Sequence, residues 1–207
     1  MEIKRDRYIN ALKKNNDQGF TLAELIVVLV ILTILAAILV PSLLGYIDKS
    51  KSHKNMLAAK NCLTAAQGVM TELYAAGYSP GVDDADSAGK NGNGDVKWSG
   101  KPNGKKILDL ADDDPYVLII GCGQYNNYKD TDIHKAFTVY FVGYMKDKNS
   151  KPIYFDGKDW ITDYYPWSKN DTDNTFNGVK LQIYEVANKS GKAWWKILPD
   201  KSGYKPN

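Results

Sequence analysis

From Phe20 to Val40 the chain runs for 21 residues with one charged side chain, Glu24. As a helix at about 1.5 Å per residue, this segment covers about 30 Å, the thickness of a bilayer's hydrocarbon core. Few folds can hide such a stretch, so the rest of the chain is read as what surrounds it. A secretory signal peptide has a shorter apolar core with its small-residue cleavage site after it. Here the small residue, Gly19, stands in front.

Glu24 needs a partner, because an acidic side chain within an apolar segment is costly in lipid. No Lys or Arg lies between Phe20 and Asp48. If the chain were cut after Gly19, the new ammonium of Phe20 would lie one helical turn from Glu24, and neighbouring copies would bring identical ammonium groups. The plainer alternative is an interfacial glutamate on an ordinary single-pass protein.

Lys13-Lys14, then Gly19-Phe20-Thr21-Leu22-Ala23-Glu24, an apolar helix and Pro41 together resemble the N-terminus of a type IV prepilin, the class III signal shared by pilins and pseudopilins. The resemblance covers about the first 60 residues. It implies cleavage after Gly19 by a prepilin peptidase on the cytoplasmic side and N-methylation of Phe20. It also implies docking of Glu24 on a neighbour's terminal amine during filament assembly. Pro41 falls where many pilins bend or locally melt the helix, which suits its missing N–H. The partners implied are copies of the chain itself, a prepilin peptidase, a platform protein, an assembly ATPase and, before assembly, the cytoplasmic membrane. An extracellular pilus is the implied destination.

This divides the chain into a leader (1–19), a hydrophobic helix with a polar collar (20–55) and a globular head (56–207). The leader carries five basic and three acidic residues, a net of +2, and stays inside by the positive-inside rule. The remainder has 22 basic and 21 acidic side chains, which gives no electrostatic argument for nucleic-acid binding. The collar is Lys49, Lys51, His53 and Lys54.

Beyond it, Met56, Ala59, Leu63, Ala66, Met70, Leu73 and Gly77 step by three and four, one face of an amphipathic helix, with Gly77 as its C-terminal cap and Pro80 beyond. Tyr78 to Lys106 reads as a long polar loop, pinned by Trp98, and Ile107 to Ala111 as a turn of helix or a small strand. The rest reads as antiparallel β: Tyr116–Ile120, Phe137–Tyr144, Ile153–Phe155, and a hairpin of Val179–Val186 with Ala193–Leu198 around Asn188-Lys189-Ser190-Gly191. The expected fold class is α+β and type IV pilin-like, a long N-terminal helix packed on an antiparallel sheet.

Cys62 and Cys122 both point toward that helix–sheet interface. They are either a disulfide, closing a loop of about 60 residues for roughly 4 kcal/mol, or two buried thiols. Trp160, Tyr164, Tyr165 and Trp167 crowd a polar segment. They are candidates for surface recognition, the alternative being rings folded back as a satellite core. Asp171 and Asp173 are weak calcium candidates, and no catalytic constellation, cofactor motif or metal-binding signature stands out.

Three function classes fit these features. A structural pilus subunit serving adhesion or motility accounts for the motif. A minor pilin or a type II secretion-like pseudopilin shares the N-terminus, and a membrane-anchored surface domain or enzyme comes last.

Overall fold

The computed structural model describes residues 19–79, 95–124, 133–163, 165–166 and 175–198. The chain divides into two compact units, Met1–Lys51 and Ser52–Asn207. Helix α1, Leu22–Ala75, contributes to both. In the first unit every described residue is exposed, including Ile31 (51 %) and Leu39 (64 %). The hydroxyl of Thr33 donates to the carbonyl of Leu29 at 2.7 Å, so this polar group is satisfied within the apolar run. The helix continues unbroken through Pro41, and local melting is not seen there.

In the second unit α1 ends at Gly77 in the left-handed region, φ 74°. Tyr78 N–H donates to the carbonyl of Leu73 at 3.0 Å and Gly77 N–H to that of Tyr74 at 3.1 Å, the bond pair of a Schellman motif. The cap expected at Gly77 is present. The buried face of α1 is Ala59, Cys62, Ala65, Ala66, Val69 and Met70. Met56, Leu63 and Leu73, expected in the stripe, lie half-buried at its flanks. The line turned because small residues allow the closest approach to the sheet.

Strands β1 (Val96–Lys97), β2 (Val117–Gly123), β3 (Val139–Met145), β4 (Ile153–Phe155), β5 (Trp160–Ile161), β6 (Thr175–Phe176) and β7 (Val179–Asn188) form one sheet. Its order is β1-β7-β2-β3-β4-β5, with β6 also on β7. All pairings are antiparallel except β1 on β7, so the expected antiparallel sheet is mixed. Helix α2, Pro102–Ala111, starts inside the stretch expected to be loop. Trp98 does pin that stretch, fully buried with its ring 4.3 Å from Tyr184.

The expected hairpin after β7 is absent, and residues Trp194–Lys196 form a 3-10 turn instead. Both edges of β7 are already taken, one by β2 and the other by β1 and β6. The tight hairpin lies at the start of β7, where Asn177 (φ 50°) and Gly178 (φ 79°) join β6 to β7. Two central residues with positive φ match the right-handed twist of the strands, and Asn-Gly favours that turn.

The sheet is buried on both faces. On one side Leu118, Ile120, Cys122, Val142, Tyr144 and Tyr184 meet α1. On the other Ile119, Phe141, Tyr154 and Ile183 meet Trp194 and Leu198. A Cβ on Gly143 would come within 2.8 Å of the Leu198 side chain, so this glycine makes room for the second layer. Trp194 is anchored by its indole N–H, 2.9 Å from the buried carboxylate of Asp95.

One polar joint ties α1 directly to the sheet, and a second ties the connection between α2 and β2 to it. Gln67 Nε2 donates to the carbonyl of Phe137 at 2.8 Å, and its Oε1 accepts from Val139 N–H at 2.9 Å, serving the start of β3 as a neighbouring strand would. At the other end Asp113 follows the left-handed Asp112 that closes α2. It accepts from the Tyr144 hydroxyl at 2.7 Å and pairs with the Lys146 ammonium, while Cys62 Sγ lies 4.0 Å away. Burial, with Asp113 adding to it, pushes the Tyr144 hydroxyl well above its ordinary range. Burial likewise pushes the Cys62 thiol up to about 12.

Cys62 and Cys122 are both buried free thiols here, the second of the two alternatives. Cys122 lies opposite Val139, which is held by Gln67.

A non-reduced digest is expected to give two separate cysteine peptides. Native Cys62 should resist iodoacetamide at about pH 9, the ordinary thiol value, and react once denatured. Its neutral form is favoured in the fold, so this contribution to stability is complete below that pH and is lost as the pH rises toward about 12. Asp113→Ala strands the Tyr144 hydroxyl and the Lys146 ammonium. It should lower stability by about 2 kcal/mol in urea unfolding, and Asp113→Asn, which keeps an acceptor for Tyr144, by less.

Candidate processing and assembly segment

The first turn of α1 is closed by Thr21 and Glu24. Thr21 Oγ1 accepts from Glu24 N–H at 3.3 Å. In return Glu24 Oε2 accepts from Thr21 N–H at 2.8 Å and from the Thr21 hydroxyl at 2.7 Å. This reciprocal arrangement is a capping box, in which a Ser or Thr and an acidic residue three positions on satisfy amide donors that a helix start leaves orphaned. The first backbone bond of the helix, Leu25 N–H to the carbonyl of Thr21, measures 3.2 Å.

Glu24 thus has a partner inside its own chain, which reading it only against the Phe20 ammonium missed. The signal was legible in the Thr-x-x-Glu spacing ahead of an apolar run. Only one carboxylate oxygen is engaged, and Oε1 has no bond among the described residues.

Ahead of the cap, Gly19 and Phe20 are non-helical, and Phe20 is 83 % exposed. Among the described residues, and apart from its chain neighbours, nothing lies within 4 Å of where a Cβ on Gly19 would stand. Past the cap the apolar side chains from Leu22 to Val40 have no cover within the first unit.

The other candidate residues are scattered. Tyr165, a candidate for surface recognition, is buried and meets Tyr154 edge-to-face with ring centroids 5.2 Å apart. The satellite-core alternative holds there, because the second face of the sheet needs covering. Trp160 is half-buried on β5, 5.2 Å from the Phe155 ring. Tyr164, Trp167, Asp171 and Asp173 lie outside the described residues.

Residues 14–40 match a known family, the prokaryotic N-terminal methylation motif. The N-terminus carries a class III signal. The match supports the type IV pilin and pseudopilin family, and the α+β fold with its apolar N-terminal helix fits a pilin. The helix and signal together are consistent with membrane insertion as a precursor. No curated protein and no solved structure matches the chain.

The cap has a measurable consequence. Thr21→Val removes the side-chain acceptor and donor while keeping the branched shape, and should speed hydrogen exchange of the first-turn amides in micelles about fivefold. Thr21→Ser should leave exchange near the wild-type rate. An unchanged rate in the valine variant would show that the cap contributes nothing to the helix start.

Proposed function

We propose that the chain is the precursor of a type IV pilus subunit, cleaved after Gly19, N-methylated at Phe20 and polymerised through its N-terminal helix. One observation carries this reading. A methylation signal stands directly ahead of an apolar helical segment that no part of its own unit covers. Lipid covers such a surface before assembly, and other copies of the same helix cover it afterwards.

Glu24 serves both stages. In the membrane its Oε2 is held by Thr21, which lowers the cost of an acidic group near the apolar core. On docking, Oε1 accepts the Phe20 ammonium of a neighbour, a charge-assisted bond made only after cleavage has released that amine. Pro41 leaves the carbonyl one turn earlier without an amide donor, a point where the helix yields when subunits pack. Prepilin peptidase, a platform protein and an assembly ATPase are the machinery, and adhesion or motility is the role of the filament. The reading is structural and assigns no catalytic residue.

Mass spectrometry of filaments sheared from the source cells tests this. Abundant chain beginning at N-methylated Phe20 is the expected result. Processed chain found only in traces, or only with the membrane, would favour a minor pilin or pseudopilin, and an uncut terminus would overturn the proposal. Glu24→Ala should leave the leader cleavable while sharply reducing incorporation in cells lacking wild-type subunit.

A further inference from the structure

The exposed apolar surface of α1 does not stop at Val40. Leu43, Leu44 and Tyr46 are 59 %, 58 % and 72 % exposed, and Ile47 comes next. From Leu22 to Ile47 the helix covers about 38 Å, more than the roughly 30 Å of a hydrocarbon core but within the 40–45 Å that includes both headgroup layers. With Leu22 at the cytoplasmic edge, the turn from Leu43 to Ile47 falls in the far interfacial layer, where a tyrosine such as Tyr46 is at home. The next residues carry Lys49, Lys51 and Lys54, all exposed. None has an ion-pair partner among the described residues. After Asp48 the sequence has no acidic residue until Glu72.

We propose that Lys49, Lys51 and Lys54 form a ring that binds anionic phospholipid headgroups at the outer surface of the membrane, holding the subunit there before assembly. This rests on the reading of the apolar segment as a membrane span. The distribution of the charges selects lipid as the occupant. With 3.6 residues per turn, Lys51 and Lys54 lie about 200° and about 140° around the helix from Lys49. A protein partner approaching from one side reaches part of such a ring. A headgroup layer surrounds the helix and reaches all of it. Each lysine stem lies along the apolar surface while its ammonium reaches phosphate, and each contributes on the order of fivefold to binding an anionic surface.

The test uses the full chain in vesicles of phosphatidylcholine alone or with about 30 % phosphatidylglycerol, a composition that gives the surface a negative potential. A fluorophore on Ser50→Cys reports access of a water-soluble quencher, the two native cysteines being buried. Quenching should fall several-fold in the anionic vesicles and recover in about 0.5 M salt, which screens the attraction. It should also recover when Lys49→Gln, Lys51→Gln and Lys54→Gln are combined. Equal quenching in the two lipids, or a lipid dependence that survives the triple substitution, overturns the lysine ring. Vesicle flotation and protease protection report insertion separately. A chain that does not insert overturns the membrane reading itself, whereas an inserted chain with no lipid dependence overturns the ring alone.

Discussion

One helix has to be stable in two surroundings, and the design of the rest of the chain depends on that constraint. Between Leu22 and Lys51 its large apolar side chains lie exposed within their unit. There polar groups are met within the helix itself, by backbone bonds, the Thr21–Glu24 cap and the bond from the Thr33 hydroxyl to Leu29, as suits a segment in lipid. From Ala59 onward the same helix relies on burial against a sheet, and its composition changes to small residues on the buried face. The change of environment is written into the sequence as a change from an all-round apolar surface to a one-sided one.

The sheet answers the second requirement with two layers of packing. β2 is buried along its whole length, because α1 covers one face and the segment around Trp194 and Leu198 covers the other. Apolar contact alone is non-directional and would allow α1 to slide along the sheet. Gln67 limits that freedom by hydrogen bonds to the backbone of Phe137 and Val139 at the start of β3. These bonds fix alignment, a role that a disulfide fills in many small secreted domains.

The candidate site was more legible than the head. Gly19, Phe20 and Glu24 were singled out through the resemblance to a prepilin signal, a local pattern that needs no fold to bring its residues together, and residues 14–40 match the methylation motif. Thr21 was missed although its signal was equally local. In the head, the hairpin placed around Asn188-Lys189-Ser190-Gly191 failed because strand pairing depends on which edges are free, and β7 had none to offer. The Asn177-Gly178 turn was a short-range signal that the polar surroundings obscured.

By itself the sequence determined the apolar helix, its capped start, the glycine that ends it, and the α+β character of the head. Each is set by side-chain chemistry within a few residues, through periodicity, capping and turn preference. Only the tertiary structure decided that the sheet is mixed, that Tyr165 covers a second core, that both cysteines are buried, and that Gln67 aligns the helix. The bonds that make this alignment join residues 70 and 72 positions apart. No local pattern encodes them, because they depend on which surfaces remain to be covered once the sheet has formed.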